Sequence, residues 1–186
     1  MNRLDHLQSL RAKLKSGGCS IGSWIQIPHP SVAEIMGRAG YDWVAVDMEH
    51  GSIGAHQLPD LFRALELGET LPLVRLAQGH PNDCKQALDA GAGGVIVPMI
   101  ESAEQLIAIR DACRWPPAGS RGVGFSRANL FGQDFEAYRA EAQCPQACCY
   151  RGEEGAGGRP GKESFRDGSS SCRSVPEDGC LAGPSV

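Results

Sequence analysis

Four short apolar runs, each followed by a segment of helical period, recur along the first 143 residues, and this alternation constrains the fold more than any other feature. Ile21 to Ile27 is a β-branched and aromatic run. Ser31, with Glu34 three residues on, then makes a capping-box pattern ahead of Val32, Ile35, Met36 and Ala39, and Gly40 supplies a stop. Trp43 to Val46 is almost wholly apolar, as a strand buried on both faces would be, and a helical run through Leu58, Leu61, Phe62 and Leu65 follows. Pro72 to Leu76 is the third strand. Asn82 or Asp83 caps a helix through Cys84, Ala87 and Leu88 that stops at Gly91, and Gly94 to Pro98 is the fourth strand. Ser102 with Gln105 starts a helix through Leu106, Ile107 and Ile109.

Strands alternating with helices across short loops predict right-handed βαβ units and a parallel sheet. A doubly wound sheet would carry a Gly-rich phosphate loop after its first strand, where this chain has IQIPHPS. A (β/α)8 barrel gathers its chemistry on the loops after several strands, which is where the unusual residues fall. The expected fold is therefore α/β, of the (β/α)8 TIM barrel type, with the first four βα units present. Since such a barrel takes about 250 residues, a chain of 186 is short for it.

The second strand ends in VAVDMEHG, so Asp47, Glu49 and His50 emerge together. Strand alternation puts Asp47 and Glu49 on one side; a turn at Met48 would bring Asp47 back to orient the His50 ring as a general base. The plainer alternative is that Asp47 caps the turn and His50 is a solvated loop residue. Arg75 lies in the apolar run LPLVRL, where an unpaired guanidinium would be costly. It either pairs with Asp47 or Glu49 or binds an anionic substrate in bidentate fashion. In the long loop WPPAGSRGVGFSRANLF, Arg121 and Arg127 are read as solvated, with phosphate binding as the alternative.

Composition changes after Gln143. Residues 144–186 hold 5 of the 8 Cys and 8 of the 24 Gly, with one Leu and no Ile or Met, so they offer no periodic apolar face and are expected to be an irregular tail. The spacing of these Cys lacks the paired knuckles of structural zinc. The codons of Gln146 to Glu154, read one nucleotide later, permit an apolar string ending in Glu. Asp178 to Val186 reads DGCLAGPSV. A change of reading frame within or near the codons for residues 143–146 accounts for the first, and a return to the original frame for the second. The division expected is 1–143 as the amino-terminal half of a barrel and 144–186 as a tail outside it, leaving the fourth strand with an unpaired edge.

The segments GSWIQIPHPSVAEIMGRAGYDWVAVDMEHG, PLVRLAQGHPNDCKQALDAGAGGVIVPMIESAEQ and RWPPAGSRGVGFSRA resemble the pyruvate-dependent class II aldolase family of the phosphoenolpyruvate/pyruvate barrel superfamily. The resemblance implies a carbon–carbon lyase that cleaves a 4-hydroxy-2-oxo acid to pyruvate and an aldehyde. By it His50 is the base, Asp47 its partner, and Arg75 the residue holding the substrate's carboxylate and keto oxygens. It implies a divalent ion, Mg2+ or Mn2+, held by a Glu closing the fifth strand and an Asp after the sixth. Neither motif is intact: Glu101 follows the fourth strand, Glu153 and Glu154 have no strand before them, and Val186 stands where the Asp belongs. It implies a homo-oligomer, a hexamer in the family. A citrate-lyase-like CoA-thioester lyase on the same barrel and a non-catalytic fragment are the alternatives. A formal net charge of −4 argues against nucleic-acid or anionic-membrane partners, and the chain lacks a spanning apolar run, so a cytoplasmic enzyme is expected.

Overall fold

The computed structural model describes residues 3–141 and 147–149. Its elements run α1 (Arg3–Lys15), β1 (Gly22–Ile25), α2 (Pro30–Gly37), β2 (Trp43–Asp47), α3 (Leu58–Leu67), β3 (Leu71–Arg75), α4 (Pro81–Ala90), β4 (Gly94–Val97), α5 (Ala103–Cys113), α6 (Phe135–Glu141) and β5 (Ala147–Cys149). All strand pairs are parallel, and the sheet order β1-β2-β3-β4-β5 is the chain order.

Strand alternation divides the sheet into two faces. Val44, Val46, Val74, Val95 and Val97 point to one, where they pack with Leu61, Phe62, Leu65, Leu88 and Ile109 from the helices α3, α4 and α5. Burying each such Leu or Phe contributes about 1.5–3 kcal/mol, so this layer is the main store of stability. Trp43, Ala45, Leu71 and Ile96 point to the other face, which α1 covers with Leu7, Leu10 and Leu14. That helix is legible in the 3- and 4-residue spacing of these leucines. Gly22, paired in register with Trp43, is needed for this packing, since a Cβ there would lie 2.1 Å from the indole. Gly68 serves the same end between helices α2 and α3: its Cβ would sit 2.2 Å from the carbonyl carbon of Gly37.

Two helix starts differ from the sequence expectation. Neither Ser31 nor Asn82 or Asp83 is the cap; the caps are His29 and His80, each followed by Pro. Their Nδ1 atoms accept from the backbone N–H of Ser31 at 3.1 Å and of Asn82 at 3.2 Å. Pro fits the first helical position because its missing N–H is not required there. The α5 start is as expected: Ser102 Oγ accepts from the Gln105 N–H at 3.2 Å and Gln105 Oε1 accepts from the Ser102 N–H at 3.3 Å.

The sheet has a fifth strand beyond the four anticipated. β5 pairs with β4 from Val95↔Ala147 to Val97↔Cys149, so the β4 edge expected to be open is covered. The physical reason is the demand of that edge's backbone groups for partners. The expectations on the frame change, Glu153, Glu154, Cys172, Cys180 and Val186 lie outside the described residues.

In the segment between α5 and α6, Arg121 and Arg127 are held by partners and not solvated. The Arg121 side chain is 0% exposed; Nη2 donates to Asp89 Oδ1 at 2.6 Å, Nη1 to Tyr138 Oη at 3.0 Å, and its Cζ lies 5.7 Å from the Trp115 ring centroid. Burial would lower the Arg121 pKa, but Tyr138 and Asp89 outweigh it and raise it above the usual value. Arg127 pairs with Glu66 at 2.5 Å, and Arg3 donates to the Gly91 and Ala128 carbonyls. Asp89, Glu66 and Gly91 mark the C-terminal ends of helices, the side of a parallel α/β layer opposite the strands' C-terminal ends. Both arginines are therefore structural, which corrects the solvated and phosphate-binding readings alike.

Candidate active site

Three inner-face positions converge at the C-terminal ends of adjacent strands. Asp47 closes β2, Arg75 closes β3 directly opposite it in register, and Gln26 follows β1. Asp47 is 0% exposed. Its Oδ1 accepts from Arg75 Nε at 2.9 Å and its Oδ2 from Arg75 Nη2 at 2.6 Å, a bidentate fork. Oδ2 also accepts from Gln26 Nε2 at 2.8 Å, and Oδ1 accepts the backbone N–H groups of Glu49 and His50 at 3.1 and 3.2 Å. Burial alone would raise the Asp47 pKa. The hydrogen bonds from Arg75, Gln26 and the His50 backbone outweigh it and hold the carboxyl well below the usual carboxylate range. Asp47 is therefore a fixed anion, unsuited to proton transfer at neutral pH.

Asp47 and Glu49 do lie on one side, as strand alternation predicts: Glu49 Oε2 is 3.3 Å from Arg75 Nε. The contact between Asp47 and the His50 ring is not formed. Asp47 takes the His50 backbone N–H instead, because both its oxygens are occupied by Arg75, Gln26 and the turn. The carboxylate facing the ring is Glu49, whose Oε2 lies 3.7 Å from His50 Nε2. The His50 side chain is 64% exposed, open to solvent at the mouth. The groups thus form a row, His50, Glu49, Arg75, Asp47, from the mouth inward.

Arg75 is 17% exposed at its side chain and meets both carboxylates, so the ion-pair reading of this residue holds; it still presents part of its surface outward. Its Cζ lies 4.7 Å from the ring centroid of Trp24, a β1 residue. Trp24, Gln26 and the contact of Glu49 with the His50 ring were not assigned from sequence. The signal for the first two was positional: residues 22, 24 and 26 share one face of β1, the face that Asp47 and Arg75 occupy on β2 and β3.

The implied divalent ion finds no home among the described residues. They contain no group of three or more His, Cys, Asp or Glu placed to hold a metal, and both Asp47 oxygens are committed. The described residues by themselves do not make up a metal site. No helix among the described residues is long and apolar enough to cross a membrane.

Five parallel strands in chain order, packed against helices and with polar groups at the C-terminal ends of β1 to β3, form the pattern of the first part of a (β/α)8 barrel. The family described as HpcH/HpaI aldolase/citrate lyase matches residues 20–154, and the chain belongs to it. It is 41% identical over 143 residues to a 4-hydroxy-2-oxovalerate aldolase of Novosphingobium aromaticivorans, covering 76% of this chain and 54% of that protein. It is 40% identical over 129 residues to a hydroxypyruvate/pyruvate aldolase of Roseobacter denitrificans, covering 68% and 50%. Among solved structures, an HpcH/HpaI aldolase/citrate lyase family protein from Burkholderia cenocepacia superposes with a TM-score of 0.68 at 32% identity, covering 77% of this chain and 58% of that one. The chain thus spans about half the length of the curated relatives it matches.

Proposed function

We propose that this chain carries the first half of the active site of an aldolase that reversibly cleaves a 4-hydroxy-2-oxo acid to pyruvate and an aldehyde. The observation that carries the reading is the Asp47–Arg75 fork at the C-terminal ends of neighbouring strands, with His50 beside it. Arg75, anchored by Asp47, receives the carboxylate and keto oxygens of the 2-oxo acid. His50 accepts the proton of the 4-hydroxyl as the C3–C4 bond breaks. The electron pair passes to C3 and on to the keto oxygen, and the resulting enolate is reprotonated at C3 to give the methyl group of pyruvate. Glu49, not Asp47, is the carboxylate on this chain that steadies a protonated His50.

The family resemblance adds Mg2+ or Mn2+, whose Lewis acidity would assist the enolate; its ligands would come from outside the described residues. The same reading makes the protein a cytoplasmic enzyme, assembled from copies of itself, acting on a small molecule and not on nucleic acid. It also divides the chain at residue 143, although the family match runs on to residue 154. Sequencing the DNA for residues 143–146 checks the proposed frame change: an intact single frame removes it.

The decisive assay is pyruvate release from a 4-hydroxy-2-oxo acid in the presence of Mg2+ or Mn2+. The frame-repaired chain should release pyruvate, and His50→Ala should slow it by about 100-fold or more, the usual contribution of a general base. Release by neither the chain as given nor its frame-repaired form leaves the non-catalytic fragment as the correct reading. Turnover of a CoA thioester instead selects the citrate-lyase-like one.

A further inference from the structure

We propose that Trp24 is a positioning residue for Arg75, fixing the plane and direction of the guanidinium at the mouth of the site. The inference deepens the reading of Arg75 as the carboxylate-binding residue and rests on it for its functional meaning.

Trp24 lies on β1, two strands from Arg75, and its register partner on the intervening strand is Ala45. A methyl group at that position leaves the indole and the long Arg75 side chain room to meet over β2. They do meet: Arg75 Cζ is 4.7 Å from the Trp24 ring centroid, within the roughly 6 Å over which a ring face attracts a cation. The edge of the guanidinium is held by Asp47 while its Cζ lies over the Trp24 ring, so two separate contacts restrain it.

Trp24 is itself supported from behind. Its ring stands edge-on to Trp43 at 6.3 Å and 89°. Trp43 is fixed in turn by its indole N–H, which donates to Ser20 Oγ at 3.3 Å, and by the close approach of Gly22. The line Ser20, Trp43, Trp24, Arg75 therefore carries rigidity from the buried sheet to the exposed site. Trp24 remains 36% exposed, a large apolar surface left open beside the fork.

The test uses the full chain and phenylglyoxal, which modifies accessible guanidinium groups, with the rate at Arg75 read by peptide mass analysis. Trp24→Leu keeps apolar bulk but removes the π face, whereas Trp24→Phe keeps a face. Arg75 should react roughly two- to five-fold faster in Trp24→Leu than in the parent, matching the strength of a part-exposed cation–π contact. Trp24→Phe should restore the slow rate. Equal rates in parent and Trp24→Leu overturn the proposal. The fully buried Arg121 is the internal control. If it also reacts faster in Trp24→Leu, the comparison passes to Trp24→Met, with the same two outcomes. Protection of Arg75 by pyruvate in the parent is scored separately. Its absence removes the substrate reading while the tryptophan effect stands or falls on the rates alone.

Discussion

Asp47 accepts five hydrogen bonds from four residues, and this accounts for its burial as an anion better than any catalytic duty does. With its folded pKa below the ordinary carboxylate value of about 3.9, the unfolded chain binds the proton more readily over the acid range, so stability rises with pH there. The contribution of Asp47 is complete above the unfolded value and is lost as pH falls toward the depressed folded one. Arg75→Met removes the counter-charge and leaves the carboxylate buried. It should cost about 3 kcal/mol at neutral pH, as breaking one side of a buried pair does, and should flatten the acid limb of the stability curve. Urea unfolding of parent and variant at several pH values checks both; an unchanged acid limb would remove Asp47 as its source. The sequence showed that Arg75 needed a carboxylate and that two stood on the next strand. It also offered Asp47 as the cap of the turn, which the backbone N–H groups of Glu49 and His50 bear out, but it did not show that one carboxylate would serve Arg75 and the turn together.

At the scale of elements, the alternation of strands and helices was legible because each βα unit carries its own apolar period and stop signal. Helix starts were less so: the capping rules favour Ser, Asn and Asp, whereas here an imidazole nitrogen does the same work two or three residues earlier. A protonated Nδ1 cannot accept, and a positive charge would oppose the helix N-terminus, so both caps require the neutral ring. His80→Ala should lower stability by about 1 kcal/mol, while His80→Asp should preserve or raise it. Thermal unfolding near pH 7 separates the two; equal losses in both variants would show that the cap carries nothing. The segment between α5 and α6 was misread for a related reason. Asp89 and Glu66, which bury Arg121 and Arg127, are 32 and 61 residues away in sequence, and local pattern is blind to such pairings.

For the molecule as a whole, the described sheet ends at β1, which has one neighbour, β2, among the described residues. Ile21 and Ile27 beside it are exposed, an arrangement that invites pairing with another chain. Ile21→Lys combined with Ile27→Lys should reduce self-association as followed by light scattering against concentration; scattering identical to the parent would place the sticky surface elsewhere. Half-length coverage of the relatives was foreshadowed by arithmetic, since the barrel needs more chain than the motifs occupy. The fifth strand was not, because its pairing comes from the edge of β4 more than from its own residues. The agreement between strand order and chain order also bears on how the protein is made. At a synthesis rate of about 5–20 residues per second, each strand from β2 to β5 emerges from the ribosome to find its partner already delivered. The described part of the nascent sheet therefore grows from a single edge, in the order of translation, and none of β2 to β5 must wait for a later strand.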